Sequence, residues 1–135
     1  MNVEGKEGRT EKSLRILIVE NHPDTVKWLQ LLLEDLGHTV SSARTISSAR
    51  GVLTNHNWDV LISDIGLPDG TGWELLEKGA YEKPRFSIAM SGFGMNADCA
   101  RSQAAGFRSH LLKPFKTVEL EKLLDEAAAE IHSAK

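Results

Sequence analysis

Cysteine is nearly missing from this chain. Cys99 stands alone, so no internal disulfide can form and no cysteine cluster can hold zinc. A reducing, cytoplasmic setting fits that usage. Long apolar runs are absent too, so nothing in the sequence is built to span a membrane. The opening MNVEGKEGRTEK lacks the apolar centre of a signal peptide and reads as a polar, flexible lead-in over residues 1–13. Basic excess is lacking: 16 Lys and Arg face 19 Asp and Glu, which argues against a nucleic-acid surface. No phosphate-cradling loop of the Walker type occurs, and no internal repeat is evident. What remains is ordinary globular composition, 41% apolar and 26% charged over 135 residues, enough for one domain over 14–135.

That domain alternates strand and helix. LRILIVE (14–20), WDVLISD (58–64) and RFSIAMS (85–91) are short apolar runs of the kind buried on both faces of a parallel sheet. HTVSSA and FRSHLLK read as two further, more polar strands. Pro23 opens a helix with Val26, Leu29, Leu33 and Leu36 on one face, and Gly37 ends it. TISSARGVLTN, WELLEKGA and NADCARSQAAG read as helices, and GLPDGTG as a turn. TVELEKLLDEAAAEI is a closing amphipathic helix, with Val118, Leu120, Leu123, Leu124, Ala127 and Ile131 expected on its buried side. Strand-helix pairs in this order imply a parallel sheet covered by helices on both faces.

Open α/β sheets place their sites beyond the carboxyl ends of the strands. Here those ends carry Glu20 and Asn21, Asp64, Ser91 and Lys113. Glu20, Asn21 and Asp64 supply hard oxygen atoms that suit Mg²⁺. A lysine and a hydroxyl beside them suit a phosphoryl group. Without a nucleotide loop, that group would be covalent, on Asp64 at the end of the most apolar central strand. Taken singly, each residue has a plainer reading: a helix cap for Glu20 or Asp64, a turn for Ser91, a solvated stem for Lys113. Their shared sheet edge carries the argument.

ILIVENHPD, LISDIGLPDGTG, AMSGFG and HLLKPF together resemble the receiver domains of two-component response regulators, over the stretch from Leu14 to the last helix. The resemblance implies a flavodoxin-like, CheY-like (βα)₅ sandwich with sheet order 2-1-3-4-5. It implies Mg²⁺-dependent uptake of a phosphoryl group from a phosphohistidine onto Asp64. Glu20 and Asn21 match the acidic pair, Gly66 the metal-binding backbone carbonyl, Ser91 the switch hydroxyl, His110 the switch aromatic and Lys113 the phosphate-pairing lysine. A cis Lys113–Pro114 bond is implied as well. The implied partners are a histidine kinase or histidine phosphotransfer protein and a downstream protein. A homodimer through the fourth helix, fifth strand and fifth helix is also implied, without nucleic acid or membrane. No separate enzymatic output is expected. SGFG and HLLKPF resemble receivers attached to hybrid histidine kinases, so the chain is either a stand-alone receiver or a piece of a larger protein.

Two positions depart from the pattern. Asn21 stands where an aspartate is usual, and His110 where tyrosine or phenylalanine is common. Asn21 favours an alternative, a phosphorylation-independent pseudo-receiver that only binds protein. An FMN carrier of the same fold is a further rival. GFGMNA (92–97) matches G-x-G-x-x-A, but lacks the acidic residue a dinucleotide site needs. His22, His38, His56 and His132 show no ligand spacing and read as surface residues. Trp28, Trp58 and Trp73 are expected at helix-sheet or helix-end contacts.

Overall fold

The computed structural model describes residues 13–92 and 95–133, with side chains of 95–98 left aside. The chain runs β1 (Arg15–Val19), α1 (Pro23–Asp35), β2 (Thr39–Ala43), α2 (Ile46–Asn55), β3 (Val60–Asp64), β4 (Gly66–Leu67), β5 (Gly70–Thr71), α3 (Glu74–Glu77), β6 (Phe86–Ser91), α4 (Met95–Ala105), β7 (Ser109–Leu112) and α5 (Thr117–Ser133). The main sheet is parallel, in the order β2-β1-β3-β6-β7. Counting only its own strands, this is 2-1-3-4-5, the flavodoxin-like arrangement. The turn region adds a two-stranded antiparallel ribbon, β4 with β5.

Strand side chains alternate between two cores. Ile16, Ile18, Val60, Ile62, Ile88 and Met90 meet Leu29 and Leu33 of α1 and Leu120 and Leu124 of α5. Leu17, Val19, Leu61 and Ala89 meet Ile46 and Leu53 of α2, Leu75 of α3 and Ala105 of α4. Both faces of the central strands are therefore buried, which is why their sequences read as mostly apolar runs.

Local chemistry sets the helix ends. Gly37 adopts φ +99°, donating to Glu34 while His38 donates to Leu33, and so closes α1. Gly106, at φ +116°, closes α4 in the same way. Thr45 lies outside α2 as its cap, and Thr45 and Ser48 form a reciprocal capping box. Asp69 adds a second cap from the turn, accepting from the amides of Ile46 at 2.8 Å and Ser47 at 3.1 Å. Those amides hold its carboxyl below the usual carboxylate range.

Several expectations need correction. Val118 is 63% exposed, because α5 faces the sheet with Leu120, Leu124, Ala127, Ala128 and Ile131, and Leu123 packs partly buried against the same core. Leu36 is exposed too, at the last turn of α1. The helix expected over 73–80 spans only Glu74–Glu77, since Lys78 turns extended and Gly79 follows at φ +153°. Trp58 is buried and Trp73 bonds Ser102 at 2.9 Å, but Trp28 is 43% exposed, beside Phe115. His38 is half-buried, with Nδ1 accepting from the Leu14 amide at 3.1 Å. The lead-in 1–12 and part of the GFGMNA loop lie outside the described residues. Among those described, no helix is long and apolar enough to cross a membrane.

Candidate functional site

Parallel strands bring their carboxyl ends to one edge, and backbone bonds continue the ladder past the last strand residues. Glu20 donates its amide to Ala43 at 3.0 Å, Ile65 to Met90 at 3.1 Å, and Lys113 to Ser91 at 2.8 Å. The Lys113–Pro114 peptide bond is cis. These restraints set three charged side chains into one cluster. Lys113 Nζ lies 2.6 Å from Glu20 Oε1 and 3.3 Å from Asp64 Oδ2. The ammonium thus bridges both carboxylates.

Burial sharpens the electrostatics. The Glu20 side chain is 0% exposed, whereas that of Lys113 is 27% exposed. Burial alone would raise the Glu20 carboxyl, but hydrogen bonds from Lys113 and His22 outweigh it and hold the group below its ordinary value. Asp64 goes the other way. Burial first, then the negative charge of Glu20, push its carboxyl up, and Lys113 only partly offsets them. Lys113 also loses hydration, yet its bond to Glu20 and the charge of Asp64 raise it above an ordinary lysine.

Four further residues border this cluster. His22 sits at the α1 N-cap without making a side-chain cap bond. Its Nδ1 turns back to Glu20 Oε2 at 2.9 Å, and its amide meets the same oxygen at 3.1 Å. The surface reading of His22 is therefore incomplete: the ring is exposed but belongs to the acidic site. Arg44 donates to the Asn21 carbonyl at 3.2 Å, placing a cation at the rim. Asp69 ties the turn after β3 to α2. Gly72 lies tight beneath Asp64, where an added Cβ would collide with the Asp64 carbonyl oxygen and come 2.7 Å from Ser63 Oγ. Only the i, i+2 spacing of Glu20 and His22 was visible in the sequence. Gly72→Ala should cost about 1–3 kcal/mol by overpacking a rigid backbone. Urea unfolding checks this, and an unchanged midpoint would contradict it.

The remaining predicted residues lie around this cluster. Ser91 ends β6, buried, with Oγ 2.7 Å from His110 Nε2 on β7. Serine and imidazole are therefore hydrogen-bonded partners on adjacent strands. Gly66 begins β4, paired with Thr71, two residues beyond Asp64. Trp28 shares an open cleft with Thr25, Lys113, Pro114 and Phe115.

Ligand atoms of Glu20, His22 and Asp64 all lie within 4.8 Å of one another. This donor set, rich in carboxylate oxygen and gathered at one sheet edge with Glu20 buried and His22 exposed, fits a divalent cation.

Comparison with known proteins agrees with this fold. The family model of the response regulator receiver domain matches residues 16–125. A 14.6 kDa protein from the sodA1 3′ region of Leptolyngbya boryana is 30% identical over 122 residues, 87% of this chain and 92% of that protein. The virulence sensor protein BvgS of Bordetella bronchiseptica is 32% identical over 129 residues, covering 90% of this chain. This chain spans only 10% of BvgS. Among solved structures, the receiver domain of the sensor histidine kinase PA1611 of Pseudomonas aeruginosa superposes with TM-score 0.76 at 23% identity. That similarity covers 87% of this chain and 98% of the PA1611 domain, which holds a coordinated magnesium ion in its active-site cleft.

Proposed function

The chain belongs to the response regulator receiver domain family, and on that premise we propose that Asp64 accepts a phosphoryl group from a phosphohistidine of a histidine kinase or phosphotransfer protein. One observation carries the reading: Lys113 Nζ stands 3.3 Å from the carboxylate that ends the buried central strand. In the proposed step an Asp64 oxygen forms a P–O bond as the donor's P–N bond breaks. The P–N electron pair returns to the donor imidazole, which leaves neutral when its other nitrogen carries the proton. Burial makes Asp64 more basic than an exposed aspartate and hence a better nucleophile. Lys113 neutralises the phosphoryl oxygens, and Ser91 exchanges its bond to His110 for one of them. His110 would follow, altering the surface of α4, β7 and α5, where Leu112 and Val118 are exposed. That face would meet the downstream protein or a second copy.

Glu20, Asn21, Asp64 and the Gly66 carbonyl would hold Mg²⁺, as the PA1611 domain holds its ion in the cleft. When bound, the ion neutralises charge on the transferred group. The test is incubation with acetyl phosphate and Mg²⁺, read by intact mass. One added phosphoryl group is expected. A chain that takes no label would overturn the proposal and support the pseudo-receiver that Asn21 favours.

Asn21→Asp is expected to tighten Mg²⁺ binding, since a hard cation gains from an added anionic oxygen. Trp28, in the cleft beside Lys113, is placed to report a fluorescence titration. Equal or tighter binding by the native asparagine would reverse the assignment.

A further inference from the structure

His22 occupies a place where a helix-capping side chain is usual, yet its imidazole makes no cap bond. It faces Glu20 Oε2 instead, with Nδ1 at 2.9 Å. Glu20 accepts on both oxygens: Oε1 takes the Lys113 ammonium, and Oε2 takes the amide and ring of His22. An ionised carboxylate only accepts, so the ring proton sits on Nδ1 in this arrangement. The Nδ1–Oε2 separation is also near that of adjacent ligands on one metal ion, which bonds of about 2.1 Å place about 3.0 Å apart at right angles and about 3.4 Å apart at the tetrahedral angle. Asp64 offers its own oxygen within the same 4.8 Å group.

We propose that this receiver's site takes an imidazole-binding divalent cation of the Zn²⁺ or Co²⁺ class, with His22 Nδ1 joining Glu20 and Asp64 as a ligand. Binding exchanges the Nδ1 proton for the metal and leaves the remaining ring proton on Nε2. The donor set argues for that class. One hard anionic ligand is missing at Asn21, and a nitrogen donor has been brought in two residues from Glu20. Carboxylate and water suit Mg²⁺, whereas imidazole suits the later first-row metals. The ring is also accessible, with its side chain 72% exposed, so it can reorient toward an entering ion. The plainer role for His22, a second hydrogen bond for Glu20, predicts no such preference.

The inference rests on the proposed reading of this edge as a metal site, but its test needs no phosphoryl transfer. Zn²⁺ and Mg²⁺ are titrated separately into the whole protein and into His22→Ala by calorimetry. Loss of a direct ligand should weaken Zn²⁺ at least as much as the about 10- to 100-fold seen for outer partners. Mg²⁺ affinity should change by less than about twofold, since Mg²⁺ draws on oxygen ligands. In ¹⁵N spectra of histidine side chains, Zn²⁺ should convert His22 to the Nε2–H form with Nδ1 shifted by the metal. Zn²⁺ binding indifferent to His22→Ala would overturn the proposal, as would an unshifted Nδ1. Equal losses for both metals would reduce His22 to a support for Glu20 and overturn it as well. A chain that labels with acetyl phosphate and Mg²⁺ but fails these tests loses only this inference.

Discussion

Asp64→Asn is expected to abolish phosphoryl labelling and, at the same time, to make the protein more stable. The loss of label follows from chemistry: an amide oxygen is a poor nucleophile, and among the described residues no other carboxylate lies within hydrogen-bonding reach of Lys113 except Glu20, which is fully buried. The gain in stability follows from electrostatics. Burial and the Glu20 charge raise the Asp64 carboxyl above its ordinary 3.8, so its ionised form is less comfortable folded than unfolded. Between 3.8 and the raised value the folded state binds more protons, and stability falls as pH rises. Above that window the full penalty applies. Asparagine removes it while Lys113 keeps its closer partner at 2.6 Å. A gain of about 0.5–2 kcal/mol, the size that single stabilising substitutions commonly give, is expected. Metal-free urea unfolding and intact mass after acetyl phosphate treatment test both halves. Full labelling of the variant would disprove the nucleophile assignment, and a lower midpoint would disprove the electrostatic one.

Lys113→Met should act in the opposite sense on stability. It strands Glu20, which has no exposed surface and no comparable cation beside it among the described residues. Breaking a fully buried pair costs about 3–5 kcal/mol, and the partial exposure of Lys113 lowers this to about 2–3 kcal/mol. The cost should fall most where Glu20 is ionised. Glu20 is held below its ordinary 4.5, so the contribution of the pair is present above that value and is lost as pH falls through the lower folded one. Glu20→Gln in the Lys113→Met background should recover much of the loss, because the stranded charge is gone. Labelling by acetyl phosphate should slow by about 100-fold or more, as removing a preorganised donor to a developing anion does elsewhere. Additive losses in the double variant would show that Glu20 and Lys113 are not coupled. Unchanged labelling would remove Lys113 from the reaction.

Sequence alone determined the α/β alternation and the identity of the strand-end residues. Buried parallel strands are largely apolar on both faces, so β1, β3 and β6 announce themselves as runs, and Glu20 just after β1, Asp64 at the end of β3 and Ser91 at the end of β6 mark the edge. The punctuation was equally legible, because Gly37 and Gly106 take positive φ values that other residues resist. Tertiary structure decided what those edge residues do to one another. Lys113 bonds a carboxylate 93 positions away and another 49 away, distances over which periodicity says nothing. It decided that Asp69, a turn residue by its sequence, caps a helix 23 positions earlier. It also decided that Val118 stays exposed despite its helical spacing, since the sheet covers only part of the apolar stripe of α5. His22 shows the division most clearly. Its place at the start of α1 is local, set by the proline that follows it, whereas its turn back onto Glu20 depends on a carboxylate that the sheet has buried and cannot leave without partners.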